Sequence, residues 1–210
     1  MLAAMALMLG LSGVAHGQDS QRERFERGQK VQRDFERQRL VAVGLSPLAE
    51  IQAARREVRQ AVFMDPYGML PMPSLQVEHA RKGAVTLTFK DRDGSERVVD
   101  LPRESWSILA KAEGATFKPP RFKAWDEPAP GMPRPPAPPI CHGWITFLGA
   151  TGRTGARTAS GAACGGESPG LAYGAAMARL ALATRPDCVV DQDVFWSFQR
   201  CFGQKPPTSG

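Results

Sequence analysis

Gly166-Glu-Ser168-Pro-Gly170 sets a serine between two glycines in the G-x-S-x-G pattern. That spacing holds a nucleophilic hydroxyl on a sharp strand-to-helix turn. The hydroxyl attacks a carbonyl only when a histidine takes its proton, and in this type of site the histidine follows the serine along the chain. Here His79 and His142 both precede it. The residues before it, Ser160-Gly-Ala-Ala-Cys164-Gly165, do not read as a buried strand. Pro169 also removes a backbone N–H that an oxyanion hole would use. Ser168 therefore reads as the N-cap of a helix that begins at Pro169. A hydrolase that uses Ser168 or His142 is the enzymatic alternative to a non-catalytic protein.

The second group of reactive side chains is Cys141, Cys164, Cys188 and Cys201, all in the last third of the chain. A thiol–imidazole pair at Cys141-His142 would need Cys141 to be reduced. The intervals are long and irregular and contain no Cys-x-x-Cys, so a metal site is not expected. An even count in an exported chain reads as two disulfides. Four cysteines allow three pairings. Cys164 and Cys188 flank a helix expected to be about 23 Å long, whereas bridged Cα atoms lie within about 7 Å. Cys188 and Cys201 flank most of the last helix. These lengths favour Cys141–Cys188 with Cys164–Cys201, while the hairpin described below favours Cys141–Cys164. Asp91, Asp93 and Glu96 lack the full ligand set of a calcium loop and read as a solvated turn. No residue is assigned a catalytic, cofactor-binding or metal role, and no cofactor is expected.

A third signal is Ile145-Thr-Phe-Leu-Gly-Ala-Thr-Gly-Arg-Thr-Gly155. Its GATGRTG segment resembles the fingerprint of atypical short-chain reductases and related NAD(P)-binding proteins. The resemblance implies a glycine loop that feeds a helix whose N-terminus meets a pyrophosphate. The residues that follow, Ala156-Arg-Thr-Ala-Ser-Gly-Ala-Ala-Cys164, are a poor helix, and no second βα unit follows them. A hairpin fits better: strand 143–150, a turn at 151–155 and a second strand of small residues over 156–163. The glycines then supply positive φ for the turn.

The remaining elements must position these groups. Residues 22–39 carry seven basic and four acidic side chains with sparse apolar positions, which reads as a solvated helix. Interspersed acidic residues argue against a nucleic-acid arm. Ser46 and Pro47 open a second helix, which the stripe Ile51, Ala54, Val58 and Val62 carries as far as Asp65-Pro66. Alternation then takes over at 75–80, 84–90 and 96–101, separated by glycine-bearing turns: a three-stranded antiparallel meander. A short helix at 104–111, with Trp106, Ile108 and Leu109, and the 47–62 helix are its expected cover.

Nine of the 21 residues from Pro119 to Pro139 are proline. This stretch reads as an extended surface linker, with Phe122 and Trp125 against a folded surface. Beyond the hairpin, Leu171 onward reads as a buried helix that ends before Pro186. A last helix over 191–202 is capped by Asp191 and ended by Gly203.

The N-terminal run from Leu2 to Ala15 is uncharged and apolar, too short for the roughly 20 residues of a bilayer span. Ala15 and Gly17 suit a signal-peptidase site before Gln18. The expected layout is α+β. It consists of a signal peptide (1–17), N-terminal helices with a three-stranded meander (18–118), and a Pro-rich linker (119–140). A disulfide-stapled β-hairpin plus two-helix module (141–203) and a disordered tail (204–210) complete it. The net charge of +6 draws such a protein to anionic polymers but fixes no activity. The expected function is a non-catalytic structural or interaction role in a bacterial envelope, periplasmic or secreted. Its partner would be an envelope protein or anionic envelope polymer, with no nucleic acid and no transmembrane span.

Overall fold

The computed structural model describes residues 6–70, 72–80, 82–90, 95–124, 142–163 and 168–203, and side chains from residue 19 onward. It is α+β, with six antiparallel strands and five helices among the described residues. Contacts divide the chain into two compact units, Met1–Asp34 with Pro119–Pro139, and Phe35–Lys118 with Ile140–Gly210. Helix α1 (Ala6–Ala42) supplies residues to both.

Within the first unit, α1 carries the charged sequence expected of a solvated helix. Arg22 and Glu26 form an exposed i,i+4 pair, of the kind worth a few tenths of a kcal/mol. The Phe25 and Phe122 rings meet at 5.7 Å. Trp125 and most of the proline-rich stretch lie outside the described residues, as do Asp91, Asp93 and the tail 204–210.

The second unit is built on one sheet. Strands β1 (Glu57–Met64), β2 (Ser74–His79), β3 (Val85–Lys90), β4 (Glu96–Leu101), β5 (Ile145–Ala150) and β6 (Arg157–Ala162) lie in the order β4-β3-β2-β1-β5-β6. The three expected meander strands are thus β2 to β4, but they do not form a separate sheet. Strand β1 joins them to β5, with Ala61 opposite both Leu75 and Leu148.

The expected helix over 47–62 is corrected here. Helix α2 (Leu48–Ala53) ends after six residues, and the chain becomes β1. Val58 and Val62 are four apart, and four is common to the helical and the strand repeat. Both faces of β1 are buried, so no polar alternation marks the strand. Val58 and Val62 pack against Leu40, Leu48 and Ile51 on one face. Ala61 and Phe63 enter the larger core on the other. Each fully buried Val or Phe contributes about 1.5–3 kcal/mol. The helix start also differs. Pro47 is the N-cap of α2 and Ser46 makes no side-chain cap. The Ser46 carbonyl instead accepts from Gln60 Nε2 at 3.0 Å. Asp65 follows β1, and its carboxylate accepts from the Tyr67 and Leu70 N–H groups, turning the chain before β2.

The cover comes from α3 (Arg103–Thr116), α4 (Pro169–Leu182) and α5 (Val194–Phe202). Helix α3 is longer than its expected 104–111, with Leu109 buried and Ile108 exposed. Helix α4 starts as expected: the Ser168 side chain accepts from the Leu171 N–H, and Pro169 opens the first turn. It lies on β5 and β6 by direct backbone approach. A Cβ on Gly161 would come within 2.1 Å of Leu171 N, and one on Gly174 within 2.5 Å of Thr146 Cγ2. Helix α5 is capped by Asp193, not Asp191, through the Phe195 and Trp196 N–H groups. Its phenylalanines fill the core, Phe198 against Phe63 at 4.8 Å and Phe202 against Phe89 at 4.7 Å.

The disulfide expectation is corrected too. Cys188 is bonded to Cys201, with Cα atoms 6.0 Å apart. This excludes both Cys141–Cys188 and Cys164–Cys201. The length argument fails because α5 begins only at Val194, and the preceding segment folds back beside it. Asp191 holds that fold, taking hydrogen bonds from Ser197 Oγ at 2.9 Å and Arg200 Nη2 at 2.5 Å. The Arg200 guanidinium keeps the Asp191 carboxyl below its usual range. Cys141 and Cys164 lie outside the described residues.

Candidate functional site

The GATGRTG loop closes a β-hairpin. Gly149 lies inside β5, where a Cβ would strike Leu40 and Leu48 at 2.9 Å, so its absence lets α1 and α2 approach the sheet. Gly155 has φ +90, as the turn requires. The loop leads into β6, paired with β5 from Ile145↔Ala162 to Ala150↔Arg157. Among the described residues the loop runs into a strand, not into a helix N-terminus that could face a pyrophosphate.

The loop is docked instead on the start of β1. The Thr151 hydroxyl accepts from the Val58 N–H at 3.0 Å and donates to the Arg56 carbonyl at 2.8 Å. The Gly152 N–H donates to Gln52 Oε1 at 3.2 Å. This docking gathers charged side chains at one end of the sheet. Arg59 sits on β1, 5 % exposed. Its guanidinium donates to the carbonyls of Val58 and Thr151, and to Glu113 of α3. Glu113 also accepts from Arg157 Nη2 of β6 at 2.9 Å. Each cation lies against an aromatic ring, Arg59 4.3 Å from the Trp106 centroid and Arg157 5.2 Å from that of Phe117. Such contacts strengthen as the cation loses water.

Tyr173 of α4 packs edge-on against Phe117 at 5.5 Å and is 1 % exposed. Burial raises its phenol well above the ordinary tyrosine value, outweighing the opposing field of Arg59. The tyrosine is therefore neutral at physiological pH. His79 stacks on Trp106 at 5.0 Å, and its Nδ1 lies 3.1 Å from Glu57 Oε2. Beside this network, Gln52, Arg55, Arg56, Glu57, Gly152 and Arg153 line a cavity of about 220 Å³.

The residues singled out in the sequence lie elsewhere. Ser168 caps α4. The His142 ring lies 5.2 Å from that of Tyr67. The two are thus committed to different neighbours, one to a helix start and the other to an aromatic contact. Among the described residues no group of three or more His, Cys, Asp or Glu side chains converges as metal ligands. No described helix is long and apolar enough to cross a membrane.

Compared with known proteins, the chain matches no family model, no curated protein and no solved structure. The charged cluster was not singled out in the sequence, although one signal was present. Arg59 and Gln60 interrupt the apolar run Val58 to Met64, and a charge inside a buried strand requires a partner. The run does not say which glutamate supplies it.

Proposed function

We propose that this is an exported protein of a bacterial cell envelope, periplasmic or secreted, with a structural or binding role and no catalytic one. The observation that carries this reading is the use of Ser168. Its hydroxyl is the acceptor that caps α4, and its hydrogen-bond partner is a backbone N–H, not a base. A serine without a general base is a weak nucleophile. The Cys188–Cys201 bond supports an oxidising compartment. The apolar run before Gln18 supplies the export signal, and the mature chain starts with the charged part of α1. The partner is an envelope protein or an anionic envelope polymer, drawn by the net positive charge.

Hydrolysis of activated esters and amides tests the non-catalytic half. Purified protein, Ser168→Ala and His142→Ala are expected to give the same rate as buffer. Turnover that Ser168→Ala abolishes would overturn the reading in favour of a hydrolase.

A further inference from the structure

The cavity of about 220 Å³ at the β5–β6 turn is lined by three arginines, Arg55, Arg56 and Arg153, with Gln52, Glu57 and Gly152. The nearby carboxylates are already engaged. Glu78 holds Arg56 through paired hydrogen bonds, and Glu57 lies 3.1 Å from His79 Nδ1. Arg55 and Arg153 therefore have no anionic partner among the described residues. Their backbones are fixed nonetheless. The Arg55 N–H donates to the Gln52 carbonyl at 3.0 Å, and the Arg56 N–H to that of Ile51 at 3.1 Å. On the opposite wall, Thr151 is pinned to β1, and the Gly155 N–H donates to the Gly152 carbonyl at 3.0 Å.

Arg55 also holds φ +55, the positive value that side-chain-bearing residues seldom adopt. A glycine would fit that backbone more easily. The arginine at this place is a cation kept against local preference.

We propose that this cavity binds a small oxyanion, either free phosphate or the phosphate group of a small phosphorylated molecule. Arginine is the side chain best shaped for such groups, because its planar fork gives two parallel hydrogen bonds. Two unpaired cations suit a phosphate monoester, which carries about −1.5 to −2 at neutral pH, better than a carboxylate. The volume is below the roughly 300–1,000 Å³ of sites for drug-sized ligands, so the anion is small. The inference rests on this geometry and not on export.

Isothermal titration of the full chain with inorganic phosphate and with glycerol phosphate, at constant ionic strength, tests it. Saturable one-to-one binding of at least one probe is expected at up to about 10 mM. Binding of glycerol phosphate alone identifies a phosphorylated small molecule as the source. Binding of phosphate with equal or greater strength identifies the free anion. Arg55→Gly and Arg153→Gln are each expected to weaken binding by about tenfold or more, the loss of one charge-assisted contact. Arg55→Gly is also expected to keep or raise the melting temperature, which separates lost binding from lost folding. Arg22→Gln, an equal loss of charge on the exposed face of α1, is expected to leave binding unchanged. No saturable binding of either probe overturns the proposal. So does an equal loss in Arg22→Gln.

Discussion

Arg59 and Glu113 form an ion pair whose side chains retain 7 % and 12 % of their exposure. The pair joins the central strand β1 to α3, 54 positions further along the chain. Arg157 closes it from β6, so one carboxylate ties three elements together. Removing that carboxylate strands two cations, one of them buried. Glu113→Ala is expected to destabilise by about 3–5 kcal/mol, the usual cost of breaking a buried pair from one side. Urea unfolding of the variant against the wild type measures it. A loss below about 1 kcal/mol would mean that the pair behaves as an exposed one.

How much of this was legible in the sequence depends on where water lies. Strands β2 and β3 turn Leu75, Val77, Val85, Leu87 and Phe89 to the core and polar residues to the other face, so their period of two is visible. Strand β1 has helices on both faces and loses that signature. The α4 start was legible because Ser168 and Pro169 act locally. The charged site was not. Arg59 announces a need for a partner, but Glu113 reaches it from α3, and Arg157 through the pairing of β1 with β5 and of β5 with β6. Nor does sequence show that Arg55, which is not a glycine, sits at positive φ.

The approach of α4 to the sheet depends on absent side chains. Gly161→Ala places a methyl group against the Leu171 backbone, and Gly174→Ala one against Thr146. Backbone cannot yield as a flexible side chain does. Gly161→Ala is therefore expected to cost the most, about 1–3 kcal/mol or more, with Gly174→Ala below it. Thermal unfolding of the two variants gives the order.

The disulfide closes a short loop, with a sequence separation of 13. Replacing Cys188 and Cys201 together by serine is expected to cost about 2–3 kcal/mol, read as a lower urea midpoint. With that pair joined, the other two cysteines are left to each other. The Ala163 N–H donates to the Trp144 carbonyl, which closes the hairpin between residues 144 and 163. Peptide mapping of unreduced protein is expected to recover Cys141 linked to Cys164. A fragment that links Cys141 to Cys188 would contradict the fold.

Tyr173 gives the pH dependence its sign. Its folded-state pKa is raised by burial, so the native state resists ionisation that the unfolded chain undergoes from about pH 10. The stabilisation is complete below that pH and is lost as pH rises further. Stability is therefore expected to fall above about pH 10, less steeply in Tyr173→Phe. In Tyr67→Phe, where Tyr173 is the remaining tyrosine, phenolate absorbance is expected to appear only as the protein unfolds.

The proposed export of a disulfide-bonded, non-catalytic protein to an oxidising compartment is open to direct measurement. Intact-mass and N-terminal analysis of the protein, produced with its own N-terminus in a Gram-negative host and recovered from the periplasm, tests it most directly. The expected product is a chain that starts at Gln18 and has no free thiol. A chain retained in the cytoplasm with residues 1–17 intact and its cysteines reduced would contradict it.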